Sequence, residues 1–305
     1  MFKKGFIYIG LLAIFLFVVT GCGSAPGSKA GLIEGKVNVV TSFYPLYDFT
    51  RNIGGEYVNV INLVPAGVEP HDWSPKSRDI KNMNNAQVFV YQGAGFEGWV
   101  GDFLQTIPKD SSLKVVEASQ GSDLIKTSDS KEAYDPHAWL SPLNAVKMAN
   151  NIKNALIAAD PAHKDAFEQN YQAYAAKLKD LDVRYRTELA KTSKKEIAVS
   201  HQAFAYMCRD YGLTQLAIMG LSPEAEPTAQ DLKNMNQYIK EHQLKYIFFE
   251  ELVSDKLAKT LAKDANVDTM VLNPLEGLTA EQEKAGKDYI SIMDDNLKNL
   301  VKALQ

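Results

Sequence analysis

One long helical pattern occupies the middle of this chain, at residues 160–190, DPAHKDAFEQNYQAYAAKLKDLDVRYRTELA. Its apolar residues recur at alternating steps of three and four, the period of one helix face. They are Phe167, Tyr171, Tyr174, Leu178, Leu181, Tyr185 and Leu189. Asp160 can cap this helix, and Pro161 suits its first turn. About 30 residues at a rise of about 1.5 Å each give a rod of roughly 45 Å, longer than one small domain. We therefore predict a single rigid connecting helix over residues 161–191.

Short β-branched runs alternate with helical patterns on both sides of this helix. Before it, the predicted strands are Val37–Ser42, Val58–Val64, Gln87–Tyr91 and Leu113–Val116. After it, they are Ile197–Ser200, Gln215–Met219, Tyr246–Phe249 and Thr269–Leu272. The helical patterns between them include Pro45–Ile53, Pro75–Asn84 and Leu232–His242. This alternation predicts an α/β fold with mostly parallel sheets. We expect an N-terminal lobe over residues 36–160, a C-terminal lobe over residues 192–305, and a ligand site between them.

Composition excludes several classes of protein. The 305 residues amount to about two domains. The formal net charge is −4 and no run of Lys or Arg forms a basic patch, so we expect no nucleic-acid partner. Only two cysteines are present, which excludes a disulfide framework and a cysteine-based zinc module.

The first residues differ from the rest of the chain. Lys3 and Lys4 precede an uncharged run, Phe6–Val19, that is too short to span a membrane but suits the core of a signal peptide. The run ends in Val-Thr-Gly-Cys22, which resembles a bacterial lipobox. We expect residues 1–21 to be a signal peptide and residues 22–35, rich in Gly, Ser and Ala, to be a flexible tether. Lipidation of Cys22 would anchor the protein outside the cytoplasm, on the outer face of the bacterial cell membrane. The alternative is an ordinary signal peptide with an incidental cysteine.

Two segments share an unusual pattern: residues 69–75, EPHDWSP, and residues 135–142, DPHAWLSP. In both, an acid and a proline precede a histidine, a tryptophan follows two residues later, and a Ser-Pro pair comes next. Proline restricts the chain before each histidine, and Ser-Pro is typical of a helix N-cap and first turn. The tryptophan can shield the imidazole from water, so His71 and His137 are candidates for a preorganised metal site. The neighbouring Asp72 and Asp135 are interpreted either as groups that orient an imidazole or as helix-start acids.

Two further candidates follow predicted strands of the second lobe. His201 comes directly after Ile197–Ser200, and Glu276 follows Thr269–Leu272. Ligands of open α/β sheets bind beyond the carboxyl ends of the strands. Three histidines and one carboxylate from four loops give N₃O ligation, which suits Zn²⁺. Glu250 or Glu251, at the end of another strand, is the reserve candidate for the fourth ligand.

At these residues the chain resembles the solute-binding lipoproteins of bacterial zinc importers, in the family of zinc- and manganese-binding proteins of ATP-driven transporters. The resemblance runs from about Val37 to the C-terminus. It is carried by the two histidine segments and by the stretches SHQAF at 200–204 and NPLEGL at 273–278.

The resemblance implies two α/β lobes joined by one long helix, and metal ligands at His71, His137, His201 and Glu276. It also implies capture of Zn²⁺ and its delivery to an ABC-type membrane permease with its ATPase. We expect a monomer without enzymatic activity. Manganese-selective relatives tend to have a carboxylate at the third position, so His201 favours zinc.

The same candidate residues allow three alternative functions. One alternative is a manganese-binding member of the same family. Another is a surface zinc hydrolase that uses the three histidines as ligands and Glu276 as base. The motifs His-Glu-x-x-His and Gly-x-Ser-x-Gly are absent, which disfavours it. A third is an adhesin that uses the metal structurally.

Two features remain outside this interpretation. Residues 93–98, GAGFEG, match the G-x-G-x-x-G pattern of dinucleotide sites, but the motif does not open the first strand–helix unit of either lobe. The loop Ser119–Tyr134 contains no histidine, so we expect no auxiliary metal capture by a histidine-rich insert.

Overall fold

A computed structural model describes residues 31–127, 133–223 and 227–305. The predicted signal peptide, the predicted lipidation site Cys22 and residues 22–30 of the predicted tether lie outside these residues. Within the described ranges, no helix is both long enough and apolar enough to cross a membrane.

The N-terminal lobe is a parallel four-stranded sheet flanked by helices. Its strands are β1 (Val37–Thr41), β2 (Val58–Asn62), β3 (Val88–Tyr91) and β4 (Lys114–Glu117), in the order β2-β1-β3-β4. Its helices are α1 (Tyr44–Gly54), α2 (Ser77–Asn85), α3 (Val100–Thr106) and α4 (Pro142–Ala159). The β1 strand is buried along its whole length, as expected for an inner strand of a parallel sheet.

The connecting helix α5 spans Lys164–Ala190, 27 residues, or about 40 Å. It begins later than the sequence predicts because Pro161–His163 forms a separate 3₁₀ turn. The Asp160 carboxylate accepts a hydrogen bond from His163 Nδ1 (2.5 Å) rather than capping a backbone N–H. The predicted apolar stripe faces inward. Its buried members are Phe167, Tyr174, Leu178, Leu181, Tyr185 and Leu189.

The C-terminal lobe repeats the strand order of the first. Its strands are β5 (Glu196–Val199), β6 (Thr214–Ala217), β7 (Tyr246–Phe249) and β8 (Asp268–Val271), all parallel, in the order β6-β5-β7-β8. Its helices are α6 (Ala205–Tyr211), α7 (Ala229–Glu241), α8 (Lys256–Ala265), α9 (Ala280–Lys284) and α10 (Tyr289–Leu304). The predicted two-lobe α/β class is confirmed, and each predicted strand is present within two residues of its observed ends.

Helix starts are less accurately predicted. Helix α4 begins as expected, because Ser141 is its N-cap, accepting from the Asn144 backbone N–H (3.3 Å), and Pro142 is its first residue. The matching Ser-Pro pair before α2 does not start that helix. There the chain begins its helix at Ser77, where Asp79 accepts from the Lys76 backbone N–H (2.9 Å).

The two lobes are held together by buried hydrogen bonds that converge on the segment preceding α4. Trp139 Nε1 donates to the Pro274 carbonyl (2.7 Å), and the Tyr289 hydroxyl donates to the Trp139 carbonyl (2.6 Å). The Tyr206 hydroxyl donates to the Asp135 carbonyl (2.5 Å). Loops at the carboxyl ends of both sheets therefore face each other across one interface.

Candidate metal centre

Four sequence-predicted residues meet at this interface, each supplied by a different loop. His71 lies between β2 and α2, and His137 lies before α4. His201 follows β5, and Glu276 follows β8. All four loops lie at the carboxyl ends of the strands of their sheets, where open parallel sheets bind ligands. We call these residues the His₃Glu cluster.

The ligand atoms of the His₃Glu cluster lie at separations close to those around a tetrahedrally coordinated metal ion. His137 Nε2 lies 3.4 Å from His71 Nε2 and 3.1 Å from His201 Nε2. Glu276 Oε1 lies 3.4, 3.3 and 3.9 Å from the Nε2 atoms of His71, His137 and His201. A tetrahedral zinc site with bonds of about 2.0–2.1 Å has edges of about 3.3–3.4 Å. One atom from each residue can therefore bind the same ion.

Burial of the four side chains is uneven. The side chains of His137 and His201 have no exposed surface, and that of Glu276 is 1% exposed. The His71 side chain is 11% exposed. The cluster is thus closed on three sides and reaches solvent beside His71.

Two carboxylates accept hydrogen bonds from the Nδ1 atoms of buried imidazoles, on the side of each ring that faces away from the cluster. His137 Nδ1 donates to Asp135 Oδ1 (2.8 Å), and His201 Nδ1 donates to Glu250 Oε1 (3.0 Å). The Ser200 hydroxyl also donates to Glu250 Oε1 (2.8 Å). Because each Nδ1 carries its proton toward a carboxylate, each Nε2 lone pair is left for a metal.

Neither reserve candidate joins the cluster. Glu250 is the partner of His201 Nδ1. Glu251 instead accepts from Asn273 Nδ2 (2.8 Å) and Gln282 Nε2 (2.6 Å). The structure thus places Glu276, rather than either reserve residue, with the three histidines.

The shielding predicted for the two tryptophans holds at one of them. The Trp139 ring lies 5.2 Å from the His137 ring. Trp73 instead packs against Trp99 (5.7 Å). The aromatic neighbour of His71 is Phe96, at 4.9 Å, which the sequence pattern did not single out.

Of the two aspartates next to ligand histidines, Asp135 orients an imidazole and Asp72 does not. Asp135 is buried and orients His137, whereas Asp72 is exposed. Beside His71, the acid that contacts backbone is Glu69, which accepts from the His71 N–H at 3.0 and 3.1 Å.

The electrostatics of the cluster favour a cation. Burial lowers the pKa of His137, but hydrogen bonds with Asp135 and Glu276 outweigh it and raise that pKa to about 9. Burial works to raise the pKa of Glu276, but the neighbouring His71 and His201 hold it well below its usual range. Burial and the charge of Glu276 raise the pKa of Glu69 to about 7. Protons and divalent cations therefore compete for one negatively charged site.

Removing the Asp135 charge is expected to weaken metal binding without removing a ligand. In Asp135→Asn the amide oxygen can still accept from His137 Nδ1, but the negative charge that strengthens the imidazole as a donor is lost. We expect zinc affinity to fall about 10- to 100-fold. Competition against a chromophoric chelator measures this. The exposed Asp72→Asn is the matched control, and an equal loss there would contradict the assigned role of Asp135.

The backbone N–H groups at the Gly-rich motif donate hydrogen bonds to a side chain of the same turn. The N–H groups of Gln92 and Gly93 donate to the Glu97 carboxylate (2.7 and 3.1 Å). In a dinucleotide site such groups would face a phosphate. The motif also follows β3, which is not the first strand of its lobe. The N–H groups of this turn are therefore paired within the protein, and the match to a dinucleotide motif does not indicate a phosphate site.

The fold and the cluster together define a bilobal metal-binding protein. Residues 39–303 match the family model described as "ZnuA: Zinc-uptake complex component A periplasmic". The chain belongs to this family, as the sequence resemblance predicted.

Known proteins of the family are similar along the whole chain. The high-affinity zinc uptake system protein ZnuA of Bacillus subtilis is 41% identical over 317 residues, which cover 100% of this chain and 99% of that protein. The zinc-binding lipoprotein AdcA of Streptococcus pneumoniae is 40% identical over 98% of this chain, but the chain spans only 60% of the length of AdcA. The crystal structure of the Zn(II)-bound ZnuA-like domain of that AdcA is 42% identical, with a TM-score of 0.78, and covers 88% of this chain and 99% of the domain.

Proposed function

We propose that this protein captures Zn²⁺ outside the cytoplasm and delivers it to a membrane ABC permease with its ATPase. The observation that carries the proposal is the convergence of His71, His137, His201 and Glu276 within 4.8 Å of one another. The names of the Bacillus and Streptococcus relatives both specify zinc, and the Bacillus name specifies its uptake, which supports the proposal.

Zinc is favoured over manganese by the donor atoms and their geometry. Three imidazole nitrogens and one carboxylate oxygen at tetrahedral spacing suit Zn²⁺, whereas Mn²⁺ prefers more oxygen donors in a larger shell. The third position holds His201, whose orientation is fixed by Glu250 (3.0 Å). A preorganised nitrogen at this position therefore supports zinc over the manganese alternative.

A carrier is favoured over a hydrolase by the position of Glu276. A catalytic zinc has three protein ligands, an open position for water and a separate base. The carboxylate of Glu276 lies 3.3 Å from His137 Nε2 and is itself placed to occupy the fourth position. The residue that a hydrolase would use as base is thus the residue that closes the shell. The adhesin alternative is tested by pull-down of surface partners.

The export and anchoring of the chain belong to the same proposal. Residues 1–21 act as a signal peptide, Cys22 carries the lipid, and residues 22–35 form the tether. The tether holds a monomeric carrier, with lobes 36–160 and 192–305 joined by residues 161–191, near the permease. The lipobox-like Val-Thr-Gly-Cys22 and the lipoprotein name of AdcA support this arrangement.

The proposal predicts one tight zinc site per chain. Metal content after native purification, followed by calorimetric titration of the chelator-stripped protein, measures both stoichiometry and affinity. We expect Zn²⁺ to bind at one per chain and to displace Mn²⁺ supplied in excess, because only one His₃Glu cluster exists among the described residues. Two comparably tight zinc sites, or equal affinity for the two metals, would contradict the proposal.

A further inference from the structure

The turn that follows β3 has a constrained backbone. Gly93, Ala94 and Gly95 have φ values of 81°, 54° and 89°, so three successive residues are in the left-handed region. Glycine adopts this region freely, but alanine does so at an energetic cost. Such a conformation persists only where surrounding contacts fix it.

The contacts that fix this turn converge on one carboxyl group. Glu97 accepts hydrogen bonds from the Ser42 hydroxyl (2.6 Å), the Gln92 N–H (2.7 Å) and the Gly93 N–H (3.1 Å). Ser42 directly follows β1, and Gln92 directly follows β3. Glu97 therefore ties together the ends of two neighbouring strands. Burial raises the pKa of Glu97 to about 7, against the effect of these three donors.

The same turn touches the segments that carry both N-terminal-lobe histidines. The Phe96 ring packs edge-on against the His71 imidazole (4.9 Å). Gln92 Nε2 donates to the carbonyl of Pro136 (2.9 Å), the residue before His137. His71 has greater need of such support, because its side chain is the more exposed of the two.

We propose that Glu97 is a positioning residue for zinc binding, which holds the 92–97 turn so that Phe96 orients His71 and Gln92 anchors the backbone before His137. Glu97 is not itself a member of the His₃Glu cluster. This inference rests on the proposed zinc-binding function and extends it to a residue outside the metal's own ligands.

A carboxylate suits this position better than an amide of the same size. One oxygen of Glu97 accepts from Ser42 and Gln92, and the other accepts from Gly93. In Glu97→Gln, either orientation of the amide directs its NH₂ group at a backbone N–H. One donor then loses its acceptor, and the turn is released.

The chain supplies a matched control beside the same turn, at the end of β4. Glu117 packs against Gly93 and contacts the Tyr91 hydroxyl at 3.5 Å, a distance at the limit of a hydrogen bond. Glu117→Gln therefore removes a carboxylate of the same chemistry that does not hold the turn.

The experiment compares the wild type, Glu97→Gln and Glu117→Gln in a zinc competition titration. We expect Glu97→Gln to bind zinc about 10- to 100-fold more weakly and Glu117→Gln to bind like the wild type. The visible spectrum of the Co²⁺-loaded protein gives a second readout, since its band intensity reports coordination geometry. A variant that is only less stable would keep the wild-type spectrum, whereas a displaced His71 changes it.

A double-mutant cycle of Glu97→Gln with Phe96→Leu tests whether Glu97 affects zinc binding through Phe96. If Glu97 acts through Phe96, the losses in zinc affinity are not additive. Wild-type affinity in Glu97→Gln, an unchanged Co²⁺ spectrum, or additive losses would each overturn the inference. If Glu97→Gln does not fold, Phe96→Leu and Gln92→Met take its place, and wild-type zinc affinity in both would overturn it. Failure of the wild type to bind zinc would instead overturn the proposed function, so the two failures are distinguishable.

Discussion

Replacing His137 by alanine is expected to weaken zinc binding by roughly 100- to 1000-fold. Structural zinc in zinc-finger peptides binds with about 10–16 kcal/mol, so an equal share for each of four ligands is about 2.5–4 kcal/mol, or two to three powers of ten. His137 Nε2 lies within 3.4 Å of the ligand atoms of His71, His201 and Glu276, so its loss opens the middle of the cluster. His201→Ala is expected to match it, since that side chain is equally buried.

His71→Ala is expected to have a smaller effect within this range. Its side chain is 11% exposed, so a water molecule can reach the vacated position. Chelator competition measures all three variants, and circular dichroism of the metal-free proteins verifies that each is folded.

The two histidines outside the cluster are the controls. His163 stacks on Tyr57 at 4.0 Å, and His242 packs against Tyr238 at 4.2 Å. Their alanine variants lose the same imidazole and a comparable ring contact, but no metal-facing atom. We expect both to retain wild-type zinc affinity. A cluster variant that bound like these controls would show that its residue is not a ligand.

Acidification from pH 8 to pH 5 is expected to weaken zinc binding by about 1000-fold. A protonated imidazole cannot bind a metal, and the pKa of His137 is raised to about 9 in the metal-free site. Below that pKa the group carries a proton that zinc must displace, so affinity falls about tenfold for each pH unit lost.

Proton release provides a direct measurement of this competition. Calorimetry at pH 7 in buffers of different ionisation enthalpy should show about one proton released for each zinc bound, from His137. In Asp135→Asn the loss of the carboxylate that raises this pKa should reduce the release. Circular dichroism recorded in parallel should show that secondary structure survives the loss of zinc. A pH-independent affinity between pH 7 and pH 5 would mean that oxygen donors dominate the site.

The strands and the connecting helix were predictable because their signals are local. The stripe from Phe167 to Leu189 repeats with the helical period, and the residues predicted to face inward are buried in α5, apart from the half-buried Tyr171. The start of that helix was predicted too early, because the sequence does not show that Asp160 engages His163 rather than a backbone N–H.

The histidines of the cluster were predictable for a related reason. Proline fixes the backbone before His71 and His137, so each is recognisable from its own segment. Parallel sheets then bring the carboxyl ends of their strands to one edge, which made His201 and Glu276 candidates.

The supporting roles of Glu250 and Phe96 could not be identified in this way. Glu250 and Glu276 both follow strands, and only the packing of the lobes directs Glu276 at three imidazoles and Glu250 at His201 Nδ1. Phe96 packs against His71 across 25 positions of sequence, within a turn that resembles a dinucleotide motif. No local pattern shows which atom such a side chain will meet.

Local sequence signals were enough to predict the two α/β lobes, the connecting helix and the three histidines, because periodicity and proline-restricted loops act over a few residues. Tertiary packing brings Glu276 rather than Glu250 or Glu251 to the three histidines, and it directs Asp135 and Glu250 at the imidazoles. It also places the Glu97 carboxylate on its own turn. Those outcomes depend on distances of about 3 Å between loops far apart in the chain, and hydrogen bonds and metal ligation discriminate at that scale.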